Sequence, residues 1–392
     1  MSKTLTAILT TVSVCTFAAS LSIRALDPVL LQIAGDFTVN IQTAAMLSSA
    51  FAFTYAAVQP AMGATADMLG KTRLITFCLA VLVGGMVLGA LAPSFQMLMV
   101  SRIVCGASAG GVFPIALAFT GDLVPVQERQ VAIGRLIGAA MGGNLCGAAV
   151  GGVIGEYGNW RGVFMVLAAV VLASFIAALL VFRGLKRPDT PKPDLRTLKA
   201  GYASIFANPN AMICFSAVCI EGILIFGLLP FIAALLAGWG EPRLSIAGIV
   251  IGGFAFGGVI YSVIVARLLP LLGERGMMIG GGVVMAAQLA AVAFGLSWPV
   301  MLMLFVLLGI GFYMLHGSIQ LYATELSTQA RASAVALHAF SFFVGHALGP
   351  VAYGFSLPHL GTVATLLGAA IAVALLGLAC ALLLRPRVAE PV

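Results

Sequence analysis

The sequence predicts an all-α membrane protein in which twelve transmembrane helices form two pseudo-symmetric six-helix bundles. About twelve apolar segments follow one another along the 392 residues, and each is close to the roughly 20 residues that a helix needs to cross a bilayer. The composition agrees, because 61% of the residues are hydrophobic and 8% are charged, with a mean hydropathy of +1.12. Helices are expected because each crossing segment must satisfy its own backbone hydrogen bonds.

The chain divides at one long polar connection. Residues 184–208 contain three prolines and a basic run, and they separate an N-terminal bundle, 1–183, from a C-terminal bundle, 209–392. The second part of this linker, 195–206, is expected to be a short amphipathic helix on the membrane surface. The predicted spans are 5–34, 43–66, 74–92, 96–121, 131–155, 162–183, 210–237, 245–269, 277–297, 299–323, 333–356 and 361–384. We interpret the first as a retained helix and not a cleaved signal, since it continues past the small residues that resemble a cleavage site.

The charges predict the orientation of the chain. Most lysines and arginines fall in alternate connections or near the C-terminus, whereas the opposite connections carry only Arg161 and Arg243. By the positive-inside rule, both termini are cytoplasmic in a multi-pass protein of the cell (inner) membrane. The net charge of +7 therefore reflects topology, and no nucleic-acid partner is expected.

The two halves look like distant copies of each other. The fifth span contains Gly143 and Gly147 four residues apart, and the eleventh contains Gly345 and Gly349 at the same spacing. Glycines at this spacing permit close helix approach. Two repeated bundles imply a cavity between them, an architecture that suits alternating access.

The connection after the second span carries a recognisable motif. Gly63-Ala-Thr-Ala-Asp67-Met-Leu-Gly70-Lys71-Thr-Arg73 resembles the signature loop of the major facilitator superfamily, with Met68 and Thr72 in place of basic residues. Residues 102–110 and 159–164 are similar to the family's fourth helix and its entry to the sixth. The twelve-helix drug:proton antiporters and sugar exporters look closest. Because Ala148, not proline, follows Gly147, the resemblance leaves export or import open.

The resemblance implies a gate on the cytoplasmic side. The loop is expected to clamp the cytoplasmic ends of the two bundles, with Asp67 pairing with Arg129 or capping the eleventh helix through its dipole. Glycines in the loop permit tight backbone contact. The gating set is Gly63, Asp67, Gly70, Lys71, Arg73 and Arg129.

Four ionisable residues within spans are candidate functional groups, because charges are costly in the membrane. Arg24 and Asp27 are expected on one face of a regular first helix, with Arg102 of the fourth helix at a similar depth. This charge cluster is either functional or a permanent structural one. Glu221 lies near the middle of the seventh helix without a basic neighbour in sequence, so it is predicted to carry a proton or recognise a cation, or else to be a neutral carboxyl bonded to another helix.

All four histidines lie in the C-terminal half. Three of them, His316, His338 and His346, fall within predicted spans, and any of these three could relay protons near neutral pH. A lone histidine in a helix is more often a packing group than a proton relay. For His338 and His346 the sequence does not distinguish these two roles. His316, with aromatic and amide neighbours at helical spacing, is the best candidate to line the cavity. The predicted substrate cavity comprises Tyr55, Gln59, Phe113, Asn144, Phe226, Tyr313, His316 and Gln320.

We therefore predict a secondary active transporter that exports small amphipathic organic compounds in exchange for protons. A proton-coupled importer of a small organic anion or a sugar is the alternative, and a non-transporting membrane receptor is a distant one. No catalytic motif is found, so an enzyme is not expected. No cofactor or metal site is predicted, and a proton gradient is expected to drive transport. The protein is expected to be a monomer whose partners are a small-molecule substrate, protons and the lipid bilayer.

Overall fold

The computed structural model describes residues 3–183 and 195–385. Residues 3–183 form seven α-helices: α1 (Lys3–Arg24), α2 (Leu30–Asp36), α3 (Ile41–Leu69), α4 (Lys71–Ala90), α5 (Phe95–Leu123), α6 (Val126–Tyr157) and α7 (Trp160–Phe182). Three of these helices begin at a side-chain cap. Asn40, Ser94 and Asn159 each accept a hydrogen bond from a backbone N–H three residues later, which satisfies one of the free donors of the first turn.

Residues 195–385 are also helical: α8 (Leu195–Ala207), α9 (Ala211–Glu221), α10 (Ile232–Gly238), α11 (Leu244–Val292), α12 (Trp298–Thr324) and α13 (Arg331–Leu383). The short α8 confirms a helix in the second part of the linker, while the first part of that linker lies outside the described residues. No β-strand occurs in either described range.

The described residues contain ten helical segments that are long and apolar enough to cross a membrane. Two of these segments are double. The backbone of α11 leaves helical geometry at Gly273, where φ is 64°, and that of α13 does so at Gly361, where φ is 78°. Only glycine adopts such angles without strain. With these breaks counted, the ten segments give the twelve predicted spans.

The first span is broken at a proline, contrary to the regular helix that we expected. α1 ends at Arg24, a 3₁₀ turn covers Asp27–Val29, and α2 follows. Pro28 has no N–H, and its ring would clash with the carbonyl of residue 24, so the helix ends there. The seventh span repeats this pattern: a π-helical turn, Gly222–Phe226, ends four residues before Pro230, and a seven-residue helix follows. The internal repeat thus extends to the shape of the first helix in each half.

The glycine patterns of the fifth and eleventh spans have equivalent packing. On α6, a Cβ at Gly143, Gly147 or Gly151 would overlap a backbone carbonyl oxygen of the first span, on Phe17, Leu21 and Ala25 respectively. On α13, a Cβ at Gly345 would overlap the Cys219 carbonyl, and one at Gly349 would lie 2.6 Å from Gly227. In each half, the fifth helix therefore packs against the first with backbones nearly touching, which confirms the close approach expected from the glycines.

The described residues form two compact units by their contacts. The first unit holds α1 to α7 together with Pro230–Ala237 and Pro242–Gly252, and the second holds residues 195–229, Gly238–Glu241 and 253–385 of the described chain. The predicted bundle boundaries at 184 and 208 stay a prediction.

Candidate functional site

The first unit contains a buried ion pair at the break in the first span. The Arg24 Nη1 atom donates to Asp27 Oδ2 at 3.0 Å, and the Ser48 hydroxyl of α3 donates to Asp27 Oδ1 at 2.8 Å. Asp27 is 1% exposed and Arg24 is 5% exposed. The two residues are paired across the end of α1. Their spacing of three residues therefore predicted correctly that they lie close together, although the helix does not continue through Asp27. Both carboxylate oxygens of Asp27 have a donor.

Arg102 of α5 lies close to this pair but is held differently. Its guanidinium carbon is 4.2 Å from the centre of the Phe51 ring of α3, a cation–π arrangement. The side chain is 1% exposed. Its Nε and Nη1 atoms are buried without a hydrogen-bond partner among the described residues. Arg102 therefore belongs to the predicted cluster by position, while the hydrogen bonds to Asp27 come from Arg24 and Ser48.

Close contact between α3 and α5 fixes the place of Arg102. A Cβ on Gly106 would overlap the Phe51 carbonyl oxygen, and one on Gly110 would lie 2.7 Å from the Tyr55 carbonyl oxygen. The two backbones are thus in contact one turn beyond Arg102, and its side chain has Phe51 directly beneath it. Phe51 and Tyr55 stack along α3 with ring centres 6.1 Å apart.

The second unit contains a buried acid with a histidine partner. Glu221 ends α9 and is fully buried, and its Oε2 atom is 2.7 Å from Nδ1 of His316 on α12. Glu221 has no basic neighbour in sequence, but His316, 95 residues further along the chain, is adjacent to it in space. The other carboxyl oxygen, Oε1, is buried without a hydrogen-bond partner in the described part of the chain.

Rings surround this acid–histidine pair. His316 stacks on Phe312 at 4.8 Å between ring centres and faces His338 at 5.2 Å. Phe226 lies 5.3 Å from Phe312, and the His346 ring lies 4.3 Å from Phe226. His316, His338 and His346 are thus within one aromatic cluster, which also contains Phe254, Tyr313 and Phe342.

The predicted cavity residues fall into three groups. Phe226, Tyr313 and His316 share the aromatic cluster of the second unit. Tyr55 and Gln59 are buried on α3 in the first unit. The remaining three lie elsewhere: Phe113 and Asn144 are half-buried on α5 and α6, and Gln320 is exposed on α12.

The loop between α3 and α4 makes a tight turn with an ion pair beside it. Gly70 separates the two helices with φ of 91°, an angle that favours glycine. Lys71 forms an ion pair with Asp122 at the end of α5, a partner that we did not predict. Arg73 is exposed, and the Nε atom of Arg129 is buried without a hydrogen-bond partner among the described residues. The side-chain surroundings of Gly63 and Asp67 lie outside the described part, so the expected Asp67–Arg129 pair stays a prediction.

A model of the Major Facilitator Superfamily matches residues 12–350, most of the chain. The chain belongs to the major facilitator superfamily. This confirms the resemblance drawn from the loop, and with it the twelve-helix, two-bundle fold. The protein is a multi-pass transporter of the cell membrane and not an enzyme. Members of the superfamily generally use ion gradients and need no cofactor.

Three curated relatives are similar in sequence to this transporter. It is 25% identical over 271 residues to the uncharacterized MFS-type transporter YfhI of Bacillus subtilis, covering 68% of this chain and 66% of that one, just under two thirds. It is 24% identical over 355 residues to Multidrug resistance protein 1 of Bacillus subtilis, covering 90% and 89%. It is 24% identical over 350 residues to the quinolone resistance protein NorA of Staphylococcus aureus, covering 86% and 87%.

A solved structure confirms the fold. A bacterial homolog of the human lysosomal transporter Spinster, in an inward-facing and occupied conformation, superposes with a TM-score of 0.76. The match covers 98% of this superfamily member and 96% of the other chain at 17% identity.

Several residues around the candidate sites were not found from the sequence. Ser48, Phe312 and Phe342 are ordinary residues of apolar spans, and no local pattern distinguishes them. Asp122 could have been predicted as a partner of the loop between α3 and α4, because it is an acidic residue at the end of α5 and that loop is basic.

Proposed function

We propose that this transporter exports small amphipathic organic compounds in exchange for protons, by alternating access. The observation that carries the proposal is the buried Glu221–His316 pair, with its 2.7 Å hydrogen bond inside an aromatic cluster. An ionisable pair in the interior of a transmembrane unit is expensive, and such pairs characteristically mark proton or substrate pathways.

The chemistry of the pair suits a proton carrier. A carboxyl and an imidazole at hydrogen-bond distance can hold one proton between them without a net charge. If that proton leaves, Glu221 becomes a buried carboxylate whose Oε1 atom has no hydrogen-bond donor among the described residues. A buried carboxylate of this kind is unfavourable unless a cation or a new donor approaches it. Loss of the proton is thereby linked to a change in occupancy or conformation, which is the coupling that an antiporter needs.

The rings around the pair support an amphipathic substrate. Phe226, Phe312 and Tyr313 offer apolar faces beside the Glu221–His316 pair, and ligand sites commonly combine a mostly apolar wall with a few polar groups. A sugar would require many more hydroxyl and amide partners. Two relatives carry the names multidrug resistance protein and quinolone resistance protein, which favours export over import.

The orientation and the gate complete the proposal. Both termini are cytoplasmic by the distribution of basic residues. The turn at Gly70 and the Lys71–Asp122 pair then lie on the cytoplasmic side, where they hold the loop against the end of α5. The protein acts as a monomer.

The test is transport in proteoliposomes with an imposed pH gradient. One exchanged proton supports about tenfold accumulation of substrate for each pH unit. The panel contains a lipophilic cation, a neutral amphipathic compound, an aromatic acid and a sugar. We expect Glu221→Gln to bind substrate and exchange it between equal pools but to lose accumulation driven by pH, because glutamine keeps the shape and cannot release a proton.

The matched control is Glu325→Gln, the same change at an exposed acid after α12. It should accumulate substrate like the unmodified protein. Full pH-driven accumulation by Glu221→Gln would refute the role of this carboxyl. Accumulation in the same direction as proton flow would replace the exporter by the proton-coupled importer.

A further inference from the structure

Among the described residues, the buried charges of the cluster around Asp27 do not balance. Arg24 and Arg102 contribute two positive charges, and Asp27 contributes one negative charge. Both oxygens of Asp27 already accept hydrogen bonds, from Arg24 and from Ser48. Arg102 retains its attraction to Asp27 but has no hydrogen bond from Nε or Nη1 to any described residue.

An arginine in this position is unusual because it cannot easily become neutral. A guanidinium keeps its proton under physiological conditions, so burial leaves a charged group with donors to satisfy. Packing against Phe51 compensates the charge in part. It does not satisfy N–H donors that lie in the plane of the guanidinium, and a buried donor without an acceptor is destabilising.

The surroundings hold the guanidinium ready for an acceptor. The backbone contact of Gly106 with Phe51 fixes α3 against α5, and the Phe51 ring holds the guanidinium from one face. Little side-chain entropy remains to be lost when a ligand binds. The edge of a guanidinium matches a carboxylate, which can accept two parallel hydrogen bonds from it.

We propose that Arg102 binds a carboxylate on the transported compounds, with Phe51 and Tyr55 beside their apolar part. This deepens the proposed function and rests on it. It narrows the substrate class to amphipathic compounds that carry an acidic group, as aromatic acids or zwitterions. Arg102 acts as a substrate-binding residue, whereas Arg24 serves Asp27.

A substrate-binding role and a purely structural role of Arg102 predict different effects of the ligand's charge on binding affinity. If Arg102 only balances Asp27, its replacement affects acidic and neutral ligands alike. If it binds a carboxylate, the acid binds more tightly than its neutral amide, and this difference depends on Arg102. One charge-assisted bidentate contact corresponds to about tenfold to hundredfold in Kd.

The experiment is calorimetric binding to the purified full-length protein in detergent. The probes are 2-naphthoate, its neutral amide 2-naphthamide, and the cation 2-naphthylmethylammonium. We expect naphthoate to bind at least tenfold more tightly than the amide. Arg102→Gln should abolish this preference while amide affinity stays within twofold, and Arg102→Lys, which keeps the charge without the planar fork, should retain part of it.

Arg267→Gln is the matched control, since it removes an exposed guanidinium on α11. It should keep the full preference for the acid. The melting temperature of each variant establishes whether it is folded. If Arg102→Gln does not fold, Arg102→Lys still allows the test. Equal binding of acid and amide by the unmodified protein, or an equal loss of both in Arg102→Gln, would overturn the proposal.

Transport separates this proposal from the broader one. If the lipophilic cation is accumulated in proteoliposomes while naphthoate is neither bound nor transported, the exporter stands and the carboxylate site is refuted. Naphthoate binding that depends on Arg102, without pH-driven transport of any probe, supports the site and refutes proton-coupled export.

Discussion

Removing Asp27 should destabilise the transporter more than removing Arg24, and the two losses should not add. In Asp27→Asn, Arg24 and Arg102 remain buried without the only carboxylate that they share in the described cluster. Leaving a buried charge uncompensated typically costs about 3–5 kcal/mol. In Arg24→Met, Asp27 keeps its 2.8 Å hydrogen bond from Ser48 and the attraction of Arg102. That change should cost about 1–3 kcal/mol, in the range of one hydrogen bond to a charged group.

The double variant determines how much of each loss of unfolding free energy comes from the interaction between Arg24 and Asp27. Once Arg24 is replaced, Asp27→Asn removes the carboxylate from Arg102 alone, instead of from Arg24 and Arg102 together. We therefore expect a coupling energy of about 1–3 kcal/mol between the two sites. The assay is reversible unfolding in mixed micelles, followed by tryptophan fluorescence and circular dichroism.

An exposed pair in the same unit provides the control cycle. Arg161 Nη1 and Asp36 Oδ2 are 3.3 Å apart, and their side chains are 39% and 51% exposed. Their coupling, measured with Arg161→Met and Asp36→Asn, should be below about 1 kcal/mol because solvent screens the pair. Additive costs at Arg24 and Asp27, or a larger cost for Arg24→Met than for Asp27→Asn, would contradict this account of the cluster.

Two further predictions concern packing and the loop after α3. Gly147→Val should lower stability by more than about 2 kcal/mol, because the side chain would meet the Leu21 carbonyl where α1 and α6 nearly touch. Gly138→Val is the control, because Gly138 lies on the same helix with open space around it. Thermal unfolding of the two variants separates the clash from the effect of changing glycine to valine, and an equal loss of stability at both sites would disprove the packing explanation. Asp122→Lys should slow transport, and adding Lys71→Asp should restore part of the rate in the proteoliposome assay if the ion pair sets the position of the loop. A double variant no faster than Asp122→Lys would show that the pair has no such role.

Most of the fold could be predicted from the sequence because the bilayer imposes simple rules. Segment length and hydropathy gave twelve spans, and the loop motif gave the superfamily. The glycine spacings of the fifth and eleventh spans predicted close helix contacts, which both units contain. The helix breaks at Asp27 and after Glu221 were missed, although Pro28 lies four residues beyond the end of α1 and Pro230 lies four residues beyond the π-helical turn that follows α9.

The candidate sites could be predicted only in part. Arg24, Asp27 and Glu221 stood out because charge is rare in apolar spans. Their partners did not, since Ser48 and His316 come from other helices and lie 21 and 95 residues away along the chain. The gating residues were indicated by the motif, but the observed partner of Lys71 is Asp122, on a different helix from Arg129.

The sequence by itself determined which segments enter the membrane, where the two halves repeat, and which few charges are buried. Those properties depend on local composition and on the free energy of transfer into lipid, so they can be read along the chain. Tertiary structure alone decided that Asp27 is satisfied by Arg24 and Ser48, that Glu221 has His316 as its partner, and that two nitrogens of Arg102 face no protein acceptor in the described unit. Those outcomes depend on which helix faces meet, because a hydrogen bond or an ion pair acts over a few ångströms in space and is indifferent to separation along the chain.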